Sequence, residues 1–294
     1  MEVRIQVASS VRRITAHTGL LGVIGYPVDH SLSPLMHNAA LEHQGLDLVY
    51  LAFPVDPSAL AEAVSGARAL GMRGFNVTVP HKAAIVALLD RLDTLAARVG
   101  AVNTVVNDGG SLVGYNTDVT GFLEALATVW PRGASGSRLL VAGAGGAARA
   151  VVAAACANGA SRVWVLNRTR ERAAALCEAA QAWGATPCRI VEAGMLSEAM
   201  ADADILVNAT SVGMAGTVKL TPFPVDIVDA RHVVVDLVYG SSQTALVTQA
   251  RAKGIVAIDG KEMLLRQAAS SYLLWTGREA PLDVMRLAIR SVGS

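Results

Sequence analysis

At 294 residues the chain is longer than one hydrophobic core comfortably holds, so two domains are expected. Apolar residues make up 52% and charged ones 17%, at a formal net charge of +1. That balance excludes a disordered chain, offers no electrostatic handle for nucleic acid or an anionic membrane, and leaves a small molecule as the expected partner.

Residues 1–17 read as a short leading extension without the apolar core of a signal peptide. Residues 20–24 read as a strand, followed at 25–34 by the loop G-Y-P-V-D-H-S-L-S-P. Ser33 before Pro34 fits a helix N-cap with proline at the first helical position, and Gly45 closes that helix. Ser31 has no such structural reason and follows a strand end, where α/β sheets bind ligands; both hydroxyls suit a carboxylate. A strand at 48–55, a helix at 57–70 and a strand at 74–79 predict a parallel sheet. Asn76 and Thr78 share one face of the last strand, either as satisfied core groups or as a ligand wall. Pro80 is expected to open a helix with Lys82 in its first turn, against the dipole; a solvated surface lysine is the plain alternative.

Residues 104–107 and 111–116 read as a hairpin joined through Asp108-Gly109-Gly110. Asp118 then fits either the cap of a helix over 120–130 or a site carboxylate. The stretch at 138–150, R-L-L-V-A-G-A-G-G-A-A-R-A, reads as strand, glycine turn and alanine-rich helix. Gly143, Gly145 and Ala148 fit the dinucleotide fingerprint G-x-G-x-x-G/A, with Ala144, Gly146 and Ala147 completing the loop, and the helix start offers free N–H groups to phosphate. A chance glycine turn would look the same, so the next strand, 161–166, matters. Its tip, Asn167-Arg168-Thr169, carries no acid for a ribose 2′-OH. Arg168 and Arg172 flank the place of a 2′-phosphate, which favours NADP over NAD; the bland reading makes both solvated residues of a helix over 170–183.

Further strands are expected at 205–208 and 232–237, and helices at 244–253 and 263–275. Cys156, Cys177 and Cys188 lack C-x-x-C spacing and are odd in number, which fits a reducing cytoplasm and small apolar roles for each. The six histidines have no ligand spacing, and no metal site is expected.

Taken in order, G-Y-P-V-x-H-S-x-S-P-x-x-H-N, N-V-T-V-P-x-K, A-V-N-T, N-T-D, G-A-G-G-A-A-R, N-R-T and N-A-T-S-x-G-M closely resemble the shikimate dehydrogenase family, from about residue 22 to the C-terminus. The resemblance implies an α/β fold: an N-terminal substrate domain (1–118), a Rossmann-type NADP-binding domain (119–260) and C-terminal helices (261–294) returning to the first domain. It implies Lys82 and Asp118 as the catalytic pair, with Lys82 moving the proton. Ser31 and Ser33 would hold a ring carboxylate, and Thr78, Asn103, Tyr239 and Gln267 would complete the substrate lining. Asn167, Thr169, Leu237 and Gly260 would join the fingerprint residues and the two arginines around NADP. The implied activity is hydride transfer between NADP(H) and shikimate or 3-dehydroshikimate, on the route to the aromatic amino acids, by a cytoplasmic monomer or homodimer.

Alternatives are a quinate/shikimate or aminoshikimate dehydrogenase paralogue, or a non-catalytic NADP-binding module. Two departures stand out: Glu262 replaces a family glycine, and Tyr239-Gly240-Ser241-Ser242-Gln243-Thr244 lacks two customary prolines. Glu262 is expected to weaken cofactor placement by bulk and charge.

Overall fold

The computed structural model describes residues 14–214, 217, 219–240 and 243–290, so most of the expected leading extension lies outside the described residues. The first sheet contains β1 (Gly19–Gly25), β2 (Leu48–Pro54), β3 (Gly74–Val77), the short β4 (Arg91–Leu92), β5 (Thr104–Asp108) and β6 (Ser111–Tyr115), in the spatial order β2-β1-β3-β5-β6-β4. The strands β2, β1 and β3 are parallel, as the strand–helix alternation requires. Beyond them the expected parallel sheet gives way: β5 runs antiparallel to β3, and Gly109 and Gly110, at φ of 60° and 98°, turn the chain back so that β6 runs antiparallel to β5.

Helices α1 (Ser33–His43) and α2 (Leu60–Ala69) make the crossovers. Ser33 is not the cap of α1. Leu32 holds that position, no side chain caps the helix, and the Ser31 hydroxyl accepts the Ser33 N–H at 3.3 Å. Nor does a helix follow Pro80. Turns lead to a 3-10 segment at Ala84–Leu88, and the Lys82 carbonyl accepts the Val102 N–H at 2.8 Å instead of a helical partner. The dipole argument for Lys82 therefore falls. After α3 (Thr94–Val99), helix α4 (Thr117–Ala127) starts earlier than expected, and it is Asn116 that caps it by accepting the Val119 N–H. Asp118 sits in the first turn and is not the cap.

The second sheet is parallel throughout, in the order β12-β11-β10-β7-β8-β9. Its strands are β7 (Arg138–Ala142), β8 (Arg162–Leu166), β9 (Cys188–Ile190), β10 (Ile205–Asn208), β11 (Val233–Asp236) and β12 (Val256–Ile258). This is the doubly wound Rossmann order, whose switch point lies between β7 and β10. Helices α5 (Gly146–Ala157) and α6 (Arg170–Ala180) cover one face, and α7 (Leu196–Asp202) and α8 (Ala245–Ala252) the other. Leu139, Val141, Val163 and Val165 point to the first face and Leu140, Trp164 and Leu206 to the second, the alternation of a strand buried on both sides.

The chain ends with α9 (Gly260–Thr276) and α10 (Leu282–Arg290), which return to the first sheet. Leu265, Ala268, Tyr272, Trp275, Met285 and Ile289 share a core with Leu21, Met36, Leu41 and Tyr50. Gly121 lets α4 and α9 cross closely, since a Cβ there would stand 2.8 Å from the Gln267 backbone nitrogen. The two sheets are braced at the end of α3. Trp183, beyond the end of α6 rather than inside it, donates its indole N–H to the Arg98 carbonyl at 2.6 Å, while Arg149 lies over the Trp183 ring and donates to the Val99 carbonyl.

Candidate active site

Lys82 and Asp118, 36 residues apart in sequence, meet where the two sheets face each other: Lys82 Nζ donates to Asp118 Oδ2 at 2.6 Å. The lysine arrives on the turn after β3, held from below by His81, whose Nε2 lies 2.7 Å from the Val55 carbonyl. The aspartate comes from the first turn of α4. Its second oxygen accepts from Asn103 Nδ2 at 3.0 Å, and the Asn103 amide also faces Gln267 Oε1 at 3.3 Å. Gln267 in turn donates to the Leu264 carbonyl at 2.8 Å, which fixes its own amide. With 17% of the lysine side chain and 8% of the aspartate side chain exposed, the pair is largely withdrawn from water yet open to a ligand.

Of the other expected substrate residues, Asn103 and Gln267 lie beside this pair. The Thr78 methyl covers Gly25, where a Cβ would come within 2.3 Å of it, so only glycine fits at that strand end. Ser33 sits beside Tyr50, and Tyr50 lies near enough to Tyr239 for their charges to interact. Burial pushes the Tyr239 phenol above its usual value, with the neighbouring Asp118 charge adding to it. Of these, Lys82 and Asp118 are in direct contact, and Tyr50 is tied through Asn76 to the Asn103 backbone behind them.

Behind these residues stands a network of which the sequence points only to Asn103 and to Asn76, the latter as a satisfied core group or a ligand wall; Asn76 is satisfied. Tyr50 donates to Asn76 Oδ1 at 2.7 Å; Asn76 Nδ2 donates to the Asn103 carbonyl at 3.0 Å and to Ser271 Oγ at 3.1 Å. Thr104 and Thr117 close the circuit, with Thr117 N donating to Asn103 Oδ1 at 2.7 Å. The available signal was the spacing of Gln267 and Ser271, two polar residues one turn apart on the buried face of α9. Asp236 was also missed. Fully buried, it accepts from Asn208 at 2.9 Å, Val238 N at 3.0 Å and Thr244 Oγ1 at 2.5 Å, and so shapes the loop that carries Tyr239. Burial raises its pKa, while those three donors oppose the shift.

The nucleotide side is built from backbone. Gly143 has φ of 115°, and a Cβ there would meet the Ala209 carbonyl oxygen at 2.7 Å, so two independent constraints require glycine at the switch point. A Cβ on Gly145 would meet no atom within 4 Å, which leaves room for a group pressed against that backbone. Neither α5 nor α6, which begins after Asn167 and Thr169, has a side-chain N-cap, so both offer free N–H groups. Arg170 is taken by Glu192 at 2.7 Å, whereas among the described residues Arg168 and Arg172 are exposed and have no ion-pair partner. Two free guanidinium groups, an uncapped helix pair and an acid-free strand tip fit a 2′-phosphorylated dinucleotide. Gly146 brings the two halves together, because a Cβ there would lie 3.4 Å from Cδ of Lys82. Gly260 packs under Leu237 and Val238, 2.6 Å from both carbonyl oxygens if it carried a Cβ, so packing alone accounts for glycine there.

Glu262, expected to weaken cofactor placement by bulk and charge, stands in a network of ion pairs. Its carboxylate pairs with Arg266 at 2.9 Å and with Arg286 of α10 at 3.6 Å, so its charge is already met within the protein and it ties α9 to α10. Residues 241 and 242 of the proline-lacking loop lie outside the described residues. Breaking these partly exposed pairs in Glu262→Gln should cost about 1 kcal/mol, a fall of roughly 2–4 °C in Tm, with KM for the cofactor unchanged. A several-fold gain in kcat/KM on Glu262→Gly would restore the cofactor explanation.

A Rossmann-type sheet facing a second α/β domain across a Lys–Asp pair is the arrangement of a two-domain, dinucleotide-dependent oxidoreductase. Sequence profiles agree: residues 23–105 match the shikimate dehydrogenase substrate binding domain, 126–218 shikimate / quinate 5-dehydrogenase, and 260–290 the shikimate 5′-dehydrogenase C-terminal domain. The shikimate dehydrogenase (NADP(+)) of Moorella thermoacetica is 49% identical over 282 residues, 95% of each chain. Among solved structures, shikimate dehydrogenase from Aquifex aeolicus superposes with a TM-score of 0.87 at 41% identity, over 95% of this chain and 100% of that one. The Thermus thermophilus shikimate 5-dehydrogenase in complex with NADP(H) and shikimate gives 0.82 at 40% identity, over 93% and 99%. The chain belongs to the shikimate dehydrogenase family.

Proposed function

We propose that this protein oxidises shikimate to 3-dehydroshikimate with NADP, and catalyses the reverse reduction, on the route to the aromatic amino acids. The observation that carries the reading is the Lys82–Asp118 pair at 2.6 Å, with Asn103 and Gln267 on one side and the Gly146 turn of the cofactor loop against the lysine stem. NADP, when bound, would supply the hydride acceptor for the ring carbon that carries the reacting hydroxyl, and NADPH the donor in the opposite direction.

The chain's own residues supply alignment and proton transfer. Lys82 accepts the hydroxyl proton during oxidation and returns it during reduction, while Asp118 orients the amine and balances its charge. Asn103 and Gln267 hold Asp118 and present amide groups to ring hydroxyls. Ser31 and Ser33 take the ring carboxylate, with Thr78 and Tyr239 completing the lining. Gly143 to Ala147, Asn167, Arg168, Thr169, Arg172, Leu237 and Gly260 hold the dinucleotide. The division is a substrate domain at 1–118, an NADP domain at 119–260 and a returning segment at 261–294. The enzyme works in the cytoplasm as a monomer or homodimer.

A spectrophotometric assay with shikimate and NADP, run beside quinate and NAD, tests the reading: shikimate with NADP should give the highest kcat/KM, and NADPH binding without oxidation of any ring hydroxy acid would overturn it. Replacing both Arg168 and Arg172 by Ala should raise KM for NADP roughly 10- to 100-fold by removing charge-assisted bonds to the 2′-phosphate, and leave KM for NAD within about twofold. Equal loss for both cofactors would assign the arginines to the fold instead.

A further inference from the structure

The three cysteines, spread over 33 positions of sequence, come together at one end of the nucleotide sheet. Cys177 of α6 and Cys188 of β9 stand with their sulfurs 3.0 Å apart, the Cys188 thiol donating to Cys177. This is inside ordinary sulfur–sulfur contact and about 1 Å from the length of a covalent bond. Both residues are half-buried and line an open surface hollow of about 370 Å³, together with Ala174, Gln181 and Ile190, so a small reagent has a path to them. The third thiol, on Cys156, is buried. Burial pushes it up to about 11. Among the described residues, no group of three or more His, Cys, Asp or Glu is placed to hold a metal ion.

We propose that Cys177 and Cys188 are a reversible dithiol–disulfide site that staples α6 to β9, separate from the Lys82–Asp118 chemistry. The oxidant is a small-molecule disulfide, RSSR. The Cys177 thiol gives up its proton, and the thiolate attacks one sulfur of RSSR, expelling RS⁻ and forming a mixed disulfide. The Cys188 thiol then gives up its proton and attacks the Cys177 sulfur, forming the Cys177–Cys188 bond and expelling the second RS⁻. The two expelled thiolates take up the two protons, so the protein is oxidised by two electrons and one RSSR is reduced to two RSH. Cys177 attacks first because the hydrogen bond from Cys188 lowers its pKa, whereas Cys188, donating that bond and desolvated, is raised. The staple fixes the helix whose first turn carries Arg172, so it stiffens the end of the nucleotide site that meets the 2′-phosphate.

The test is incubation of the full-length reduced protein in glutathione redox buffers, followed by alkylation of free thiols and peptide mass spectrometry. The expected result is a 2 Da loss per chain, a Cys177–Cys188 cross-linked peptide, Cys156 left as a free thiol, a rise of several degrees in Tm, and full reversal by dithiothreitol. Cys188→Ser should stop at a glutathione adduct on Cys177, and Cys177→Ser should show neither adduct nor cross-link; circular dichroism checks that both variants are folded. Wild-type protein that stays fully alkylatable at both positions in the oxidised buffer, or that carries a stable glutathione adduct on Cys177 without resolving it, overturns the proposal.

Discussion

Replacing Lys82 by methionine should lower kcat about 10²- to 10⁴-fold, the range expected when a positioned proton-transfer group is lost. That corresponds to roughly 3–5 kcal/mol of barrier. Methionine keeps most of the stem that packs near Gly146 and deletes only the amine, so the cofactor loop retains its neighbour. Binding of NADPH, read by fluorescence titration, should change by less than about threefold, because the groups assigned to the phosphates lie on the other sheet. A second effect must be separated from the first. With the amine gone, Asp118 keeps only the Asn103 amide as a side-chain partner among the described residues, and its side chain is 8% exposed. An uncompensated buried carboxylate costs up to about 3–5 kcal/mol, and the opening toward solvent at this site places the expected loss near the lower end. Asp118→Asn removes the charge but keeps one acceptor oxygen where the carboxylate uses two, so it can accept from Lys82 or from Asn103 and not from both; it should spare the cost of a buried charge and still lose about 10²-fold in kcat. A Lys82→Met enzyme that turns over within tenfold of wild type would remove the lysine from the reaction.

How much of this site could be read in advance follows from where each residue's partners lie. The fingerprint loop was legible because its requirements are local: Gly143 needs its φ and its clearance within one turn of chain. The strand–helix alternation gave both halves of the fold for the same reason. What local pattern could not decide was the reason for a polar residue beside a helix start. Ser33, Asp118 and Asn116 all have the chemistry of a cap, and only the fold reveals that Asn116 alone plays that part while Ser33 faces Tyr50 and Asp118 faces Lys82. Lys82 looked helical because proline commonly opens helices; the bond from Val102 N to its carbonyl, made across 20 residues, defeats that expectation. The Tyr50, Asn76, Thr104, Thr117 and Ser271 network draws on several elements, and no window of sequence contains enough of it to be seen. The same holds for Cys177 and Cys188, whose meeting depends on how α6 packs beside β9.

Folding stability should fall steeply as pH drops below about 6.5, by nearly one proton's worth, and His37 should be the source. Its ring is fully buried, stacked on Tyr50 at 4.4 Å between centroids and flanked by Tyr272 and Trp275, and neither ring nitrogen has a hydrogen-bond partner among the described residues. Burial lowers its pKa to about 3 from an ordinary 6.5. Above pH 6.5 the ring is neutral whether the chain is folded or not, and stability is insensitive to it. Between 6.5 and about 3 the unfolded chain binds a proton that the folded protein refuses, so unfolding free energy decreases as pH falls, by up to about 1.4 kcal/mol per pH unit. From pH 6.5 to 4.5 the loss approaches 2–3 kcal/mol, a large share of the stability of an ordinary domain. Denaturant titrations at several pH values on wild type and His37→Phe check this: the phenyl ring keeps the stack with Tyr50 and cannot titrate, so the variant's curve should be flatter by close to one proton across that window. Parallel curves would place the acid sensitivity elsewhere. The outcome bears on the site as well, because Tyr50, which rests on this ring, donates to Asn76 and stands beside Ser33; loss of the neutral stack would loosen the substrate wall from behind while leaving the Lys82–Asp118 contact on the opposite side of Asn103 in place.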